Sequence, residues 1–397
     1  MNPVAIIQAR MTSSRLPGKV LANLAGKPLL ERMIVRVQRS QRLNGIVVAT
    51  TVNTIDDPVV ALAQRMGVAI FRGDELDVLG RICAAAASVN ADPIVRLTAD
   101  CPMADPAVID AALTLFEKGG ADYLSNCNRR TFPDGLDVEV ISASALAIAN
   151  REARNPELRE HVTPYVRGNS PDLGCGDFRR ADLIAPADFG HFRFTVDTAE
   201  DLLFLSSLFA QLPDGFGWLD AVALATRMPE KLRLTEPPRH LSGLLLRLAT
   251  HTDAALLFRW LNETERQAVS LTSSKPVSWD SHLVWLNMTL NDAKAWLAIA
   301  VYDGIAAGVV RLNAEMQGPT ISLYVDGRFR GRGVGRAMIA GAREAGLARA
   351  GGTTILARVR NDNPRSLAFF QNAGFKTIEK GDGYVVLRDH NQIGKVQ

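Results

Sequence analysis

From Val4 to about Leu97, short β-rich apolar runs alternate with amphipathic stretches, a rhythm that predicts a parallel sheet with crossover helices. The expected strands are Val4 to Gln8, Ile46 to Thr50, Val68 to Phe71 and Ile94 to Leu97. Between them Leu29, Leu30, Met33, Ile34 and Val37 recur at helical spacing, as do Val59, Leu62, Ala63 and Met66. This half reads as a doubly wound α/β domain. After Tyr123 the pattern loosens into a long, polar, Arg-rich region, read as an insertion carrying substrate or partner contacts. The segment HFRFTVDTAEDLLFLSSLF then predicts a strand followed by a helix.

A second break falls at KLRLTEPPRHLSGLLLR, where Pro237 and Pro238 exclude both helix and central strand. The expected division is a first domain over 1–232, a linker over 233–243 and a second domain over 244–390. In the second, LLLRLAT opens a strand, a helical stretch runs from Asp253 to Leu261, and WLAIAVYD, AAGVVRLNAE and TISLYVD alternate with turn residues. An α+β domain follows from that order. Internal repeats and low-complexity tracts are absent from the chain, which removes solenoid and scaffold readings.

Charge narrows the partners. Forty-five Lys and Arg against 42 Asp and Glu leave +3, so no global field recruits nucleic acid or an anionic membrane, and an anionic ligand must meet local clusters. The apolar runs fall short of the ~20 residues of a membrane span, and a cytoplasmic protein is expected. Cys83, Cys101, Cys127 and Cys175 sit far apart without a C-x-x-C pair, as reduced structural thiols would.

The first candidate site follows the first strand. IIQARMTSSRLPGKVL places Arg10, Arg15 and Lys19 among Ser13, Ser14 and Gly18 in a strand-to-helix connection, where open α/β sheets bind ligands. Backbone N–H groups of such a loop wrap phosphates while the cations neutralise charge, and Lys19 is expected as an exposed loop cation contributing little to stability.

These residues, with VVATT, FRGDELDVLGR, VRLTADCPMADP, FPDGLDVEV, REHVTPY and FTVDTAEDL, resemble over about residues 3–228 the cytidylyltransferases that activate acidic deoxy sugars, especially the spore coat polysaccharide branch. The resemblance implies a Rossmann-like, GT-A-like nucleotidyltransferase fold. It implies that Arg10 and Lys19 bind the CTP triphosphate, and that Asp100 and Asp197 hold Mg²⁺. Arg72, Arg81, Ser13, Ser14, Arg15 and Gly18 fall at the nucleotide end. Asp137 and Glu139, expected on one face of a short strand that also carries Asp134, become sugar-pocket candidates with His161. Family analogy points to a homodimer.

In TISLYVDGRFRGRGVGRAMIAGAREAG, Gly331, Gly333 and Gly335 open a helix whose free N–H groups suit an anion, with Arg330, Arg332 and Arg336 adding charge around Val334. Together with NPRSLAFFQNAGF, this resembles the GNAT acetyltransferase superfamily over about 245–388. The resemblance implies acetyl-CoA held by the backbone near Leu323 and Tyr324, by the diphosphate loop, and near Asn363 and Phe370. Where many members carry a proton-donating Tyr, this chain has Phe370, which has no proton to give. Arg259, Trp260, Asn262 and Trp285 resemble the subgroup that acetylates nucleotide-linked amino sugars.

The expected function is therefore bifunctional. The first domain transfers CMP from CTP to an acidic sugar with release of pyrophosphate, and the second acetylates an amino sugar. Two alternatives stand beside it: an acetyl-CoA-sensing second domain without catalysis, and a metal-dependent glycosyltransferase. Against the latter, TADCP supplies a single Asp rather than D-x-D.

Overall fold

The computed structural model describes residues 1–390 except 169–173, 229–232, 234–243, 265, 267–275, 303, 316 and 351–353. Two compact units emerge, the first built mainly from Met1–Ala225 and the second mainly from Thr235–Gln397. The linker expected over 233–243, with Pro237 and Pro238, lies outside the described residues apart from Arg233.

The first unit is organised on a seven-stranded sheet. Its strands are β1 (Val4–Gln8), β2 (Gly45–Thr51), β3 (Ala69–Gly73), β4 (Ile94–Thr98), β5 (Tyr123–Ser125), β6 (Glu139–Ile141) and β7 (Arg180–Asp182), in the order β3-β2-β1-β4-β6-β5-β7. The first four run parallel, and β6 pairs antiparallel with both β4 and β5. Strands sandwiched between helices lose solvent on both faces, so β1 is an apolar run with Ala5, Ile6 and Ile7 fully buried. Crossover helix α1 (Leu29–Val37) buries Leu29, Leu30, Met33, Ile34 and Val37, and α2 (Asp57–Arg65) buries Val59, Leu62 and Ala63. Helix α3 (Val78–Ser88) starts at Asp77, whose carboxylate accepts from the Gly80 N–H at 2.9 Å.

Beyond Tyr123 the chain is more ordered than its loose periodicity predicts. It holds β6, α5 (Ala143–Glu152), α6 (Pro156–His161) and α7 (Pro164–Arg167) before β7. These helices are short and their apolar sets small, so no long period was available to read. Two strand expectations change. Asp137 precedes β6, which begins only at Glu139. Residues 192–196 form no strand; an isolated bridge joins Asp134 and Arg193 before α8 (Ala199–Phe209). That bridge holds a close crossing: Asp134 N–H donates to Phe192 O at 2.9 Å, and Phe194 N–H returns to Asp134 O at 2.6 Å. Gly135, at φ +100°, permits it, because a Cβ there would stand 2.4 Å from the Phe194 carbonyl carbon.

The second unit has its own seven-stranded sheet: β8 (Leu244–Leu248), β9 (Trp296–Tyr302), β10 (Ile305–Asn313), β11 (Thr320–Val325), β12 (Leu356–Arg360), β13 (Phe375–Lys380) and β14 (Tyr384–Asp389), ordered β8-β9-β10-β11-β12-β14-β13. Helix α10 (Ala254–Leu261) buries Trp260, α11 is Trp279–Asn291, and α12 (Val334–Gly341) buries Val334, Met338 and Ile339. All pairings are antiparallel except β11 with β12. That ladder runs through only two registers, Thr320 with Leu356 and Ile321 with Ala357, so from Ser322 and Arg358 onward the strands part. Among the described residues no helix is long and apolar enough to cross a membrane.

Candidate active sites

The loop from Arg10 to Gly18 leaves the carboxyl end of β1 and closes on itself. Met11 O accepts from Ser13 N at 3.0 Å and from Gly18 N at 2.9 Å, with Gly18 in the left-handed conformation. Asp56, fully buried, ties the loop to β2: its carboxylate accepts from Met11 N at 2.7 Å and from the Thr51 hydroxyl. Ser14 and Arg15 are exposed, while Ser13, Arg10 and Gly18 are half-buried.

Lys19 is not the exposed cation its loop position predicts. It is buried, with its ammonium 2.9 Å from Asp100 Oδ2, 2.9 Å from Asp197 Oδ1 and 2.9 Å from Val196 O. Burial opposes the charge on Lys19, but the Asp100 charge and the hydrogen bonds to both carboxylates outweigh it and hold the proton above the ordinary lysine range. Burial likewise opposes Asp197, yet Lys19, Arg193 and Arg15 hold its carboxyl below the usual range. The backbone arranges this meeting: Val196 N and the Thr195 hydroxyl both donate to Asp100 O, at 2.9 and 3.2 Å. Thr198 caps α8 in a reciprocal box with Asp201, which fixes the chain beside Asp197.

From Asp197 the ion pairs continue inward. Arg193 reaches Asp197 Oδ2 at 2.7 Å, Asp134 Oδ2 at 3.2 Å and Asp201 Oδ2 at 3.3 Å. Arg130 then pairs with Asp137 through two parallel bonds of 2.8 and 3.0 Å and lies 3.5 Å from Asp134. Burial pushes Asp134 up to about 6; Arg130 and Arg193 pull it down while Asp137 and Asp100 push it further up. The geometry thus joins Lys19, Asp100 and Asp197 to Asp137 through Arg193, Asp134 and Arg130.

Other sequence candidates stand apart. Glu139, 5% exposed, pairs with Arg96 through one oxygen and accepts from the Tyr123 hydroxyl at 2.6 Å through the other, so each oxygen already meets a donor from the protein. His161 is exposed at the end of α6. Arg72 donates to Thr51 O and Asn53 O and pairs with Asp57, while Arg10 lies 3.6 Å from Glu75. Arg81 is 2% exposed and packs across Gly73. It donates through one nitrogen to Asp74 O, and its Nε and Nη2 meet no partner among the described residues. A guanidinium in that state suits an incoming anion or acceptor.

Sequence reasoning missed Arg193, Arg130 and Asp201. Arg193 and Asp201 flank Asp197 at four residues on either side, a spacing that signals proximity on a helix; here the first half of it is irregular chain.

In the second unit Gly331 and Gly333 hold φ of 79° and 82°, with no atom of the described residues within 4 Å of where a Cβ would stand, and Gly333 caps α12. Gly335 has another reason to lack a side chain: a Cβ would meet the Phe369 ring at 2.9 Å. Arg332 and Arg336 are exposed, and Arg330 reaches back to Val325 O. Val334 and Tyr324 are buried and Leu323 half-buried. Asn363 caps α14 (Pro364–Asn372), accepting from Ser366 N at 3.1 Å. Phe370, 7% exposed, sits between Phe369 and Phe375 in the core. Trp260 is core, its indole N–H donating to Asp326 at 2.8 Å, and Asn262 bonds the Val277 backbone. Trp285 carries Arg311 over its ring at 5.4 Å.

A family model described as cytidylyltransferase matches residues 4–201, and one described as acetyltransferase (GNAT) family matches residues 257–375. The spore coat polysaccharide biosynthesis protein SpsF of Bacillus subtilis is 36% identical over 217 residues, 53% of this chain and 87% of that protein. A 3-deoxy-manno-octulosonate cytidylyltransferase of Chlorobium luteolum is 33% identical over 180 residues, 44% of this chain and 70% of that one. The structure of a cytidylyltransferase from Leptospira borgpetersenii matches with a TM-score of 0.55 and 34% identity, covering 60% of this chain and all of that one. The chain belongs to the cytidylyltransferase family and carries a GNAT acetyltransferase domain behind its nucleotidyltransferase half.

Proposed function

We propose that the first domain transfers CMP from CTP to an acidic, ulosonic-type sugar and that the second transfers an acetyl group from acetyl-CoA to an amino sugar. The observation that carries the first half is the convergence of Asp100 and Asp197 on one cation, Lys19, at the mouth of the β1 loop. Two carboxylates within reach of a single positive point fit Mg²⁺, which takes one or two carboxylates plus phosphate oxygens and water. Asp100 and Asp197 would hold it, and when bound it neutralises charge on the phosphates.

The chain's own residues account for the remainder. Arg10, Arg15 and the loop N–H groups receive the triphosphate, with Arg72 and Arg81 toward the nucleoside. Lys19, whose ammonium lies between Asp100 and Asp197 beside that loop, would serve as the cation for the α-phosphate, where charge grows as the sugar oxygen attacks and pyrophosphate leaves. Arg130 and Arg193 supply the cations that a sugar carboxylate needs beside Asp134 and Asp137. The sugar hydroxyls are left to those two carboxylates.

For the second half, the left-handed glycines at 331 and 333 and the parting of β11 from β12 support an acyl-CoA cleft, with the diphosphate at the start of α12 and the pantetheine along Leu323 and Tyr324. The subgroup likeness around Trp285 favours an amine on a sugar. The protein works in the cytoplasm, where both co-substrates are found, and as a homodimer by family analogy. Each half has its own signature: pyrophosphate from CTP and free thiol from acetyl-CoA, assayed against a panel of ulosonic acids and amino sugars. Tight acetyl-CoA binding with no thiol from any amine would favour the sensing alternative.

A further inference from the structure

We propose that the Tyr324 hydroxyl and the Glu263 carboxylate form the proton-transfer pair of the acetyl-transfer domain, with Tyr324 protonating the departing thiolate. The inference rests on the acetyl-transfer reading above. Tyr324 lies three residues beyond Ile321, the last residue of β11 paired with β12, on the stretch where the strands part. Side chains alternate across a strand. Ile321, Leu323 and Val325 pack into the core that also holds Phe329, Val334 and Phe370, so Ser322 and Tyr324 face the opposite side.

There the Tyr324 hydroxyl donates to Glu263 in a short hydrogen bond. Its ring is walled by Trp260 at 5.9 Å between centroids and capped by the Arg266 guanidinium 5.2 Å from its centre. The Trp260 bond to Asp326 holds that wall. Burial and the Glu263 hydrogen bond keep the Tyr324 proton well above the ordinary tyrosine range, so the phenol stays a donor at neutral pH. On the open stretch Ser322 to Val325 it is the one residue that joins a hydroxyl to a carboxylate partner, whereas Phe370 has no proton to give.

The step balances. The neutral amine attacks the thioester carbonyl carbon, a C–N bond forms, and the C–S bond breaks with its electron pair on sulfur. Glu263 accepts the proton that nitrogen loses, Tyr324 gives its proton to sulfur, and Glu263 returns a proton to the Tyr324 oxygen. One proton has moved from nitrogen to sulfur, and both side chains are as they began.

The test uses the full chain, acetyl-CoA and a panel of free and nucleotide-linked amino sugars, following thiol release, with calorimetry of acetyl-CoA binding. Tyr324→Phe keeps the ring and the backbone; Glu263→Gln keeps the shape. Turnover should fall about a hundredfold or more in Tyr324→Phe and at least about tenfold in Glu263→Gln, with acetyl-CoA affinity within about threefold of the parent. A solvent deuterium isotope effect on turnover in the parent should disappear in Tyr324→Phe. Turnover of Tyr324→Phe within about threefold of the parent overturns the pair while leaving acetyl transfer standing. Loss of acetyl-CoA binding together with rate in both variants also overturns it, by making the two residues structural. Thiol release by the parent with none of the amines sinks the acetyl-transfer reading itself.

Discussion

The Lys19 ammonium lies 2.9 Å from Asp197 and 2.9 Å from Asp100, so one lysine from the first loop holds together two carboxylates that are 97 residues apart in sequence. Removing it acts twice. Lys19→Ala should cut cytidylyl transfer about a hundredfold or more. It should also destabilise the first domain, by about 1–3 kcal/mol, because two carboxylates lose their common cation, while the 29% exposure of the Asp100 side chain limits the cost. Single-turnover pyrophosphate release and thermal unfolding check the two effects separately; unchanged values for both would remove Lys19 from the site.

Asp100→Asn and Asp197→Asn keep shape and remove charge. Each should raise the half-saturating Mg²⁺ concentration for pyrophosphate release and lower the maximal rate. Asp197→Asn should be the more damaging to the fold, since Arg15 and Arg193 also lose their anion. A metal titration that superimposes on the parent's returns that residue to a structural part.

How much of this was legible in the sequence differs between elements. The buried stripe of α1 and the apolar run of β1 follow from periodicity alone, since each has one face or both to bury. The meeting of Lys19 with Asp197 does not, because it depends on the backbone of 195–196 docking on Asp100 O, a contact without a period. Glu139 looks like its neighbour Asp137 in PDGLDVEV, yet Arg96 from the adjacent strand occupies it, and cross-strand partners are invisible until the sheet order is known.

Asp134 gives a pH test with a definite sign. Its folded pKa, about 6, lies above the usual carboxylate value, so its contribution to stability is full below about pH 4 and is lost as pH rises through about 6. Asp134→Asn should therefore raise the unfolding temperature at pH 8 by a few degrees, about 1–2 kcal/mol, with the gain vanishing near pH 4. Cytidylyl transfer should fall in the same variant. A variant less stable than the parent at pH 8 would show that Arg130 and Arg193 gain more from the Asp134 charge than burial costs.

Gly135→Ala would force a Cβ against the Phe194 carbonyl at a φ of +100°. The crossing that seats Asp134 against Arg193 must then open, at a cost of about 2–4 kcal/mol. Thermal unfolding of the first domain should show it, with no effect on acetyl-CoA binding. A melting curve matching the parent's would mean that the crossing is looser than its 2.6 Å bond from Phe194 N–H to Asp134 O implies.

In the second domain, Gly335→Asp places bulk on the Phe369 ring and a negative charge at the start of α12. Acetyl-CoA affinity should fall by about tenfold or more while pyrophosphate release from CTP is spared. Calorimetry decides it, and undiminished affinity would end the acyl-CoA assignment.

Transfer of the α-phosphoryl group with its nucleoside can be followed with labelled CTP. With α-labelled CTP, Mg²⁺ and a panel of ulosonic acids, the label should move into a CMP-sugar while unlabelled pyrophosphate appears in equal amount. Label recovered as CDP, or as unreacted CTP with every acid in the panel, would rule out cytidylyl transfer to these sugars.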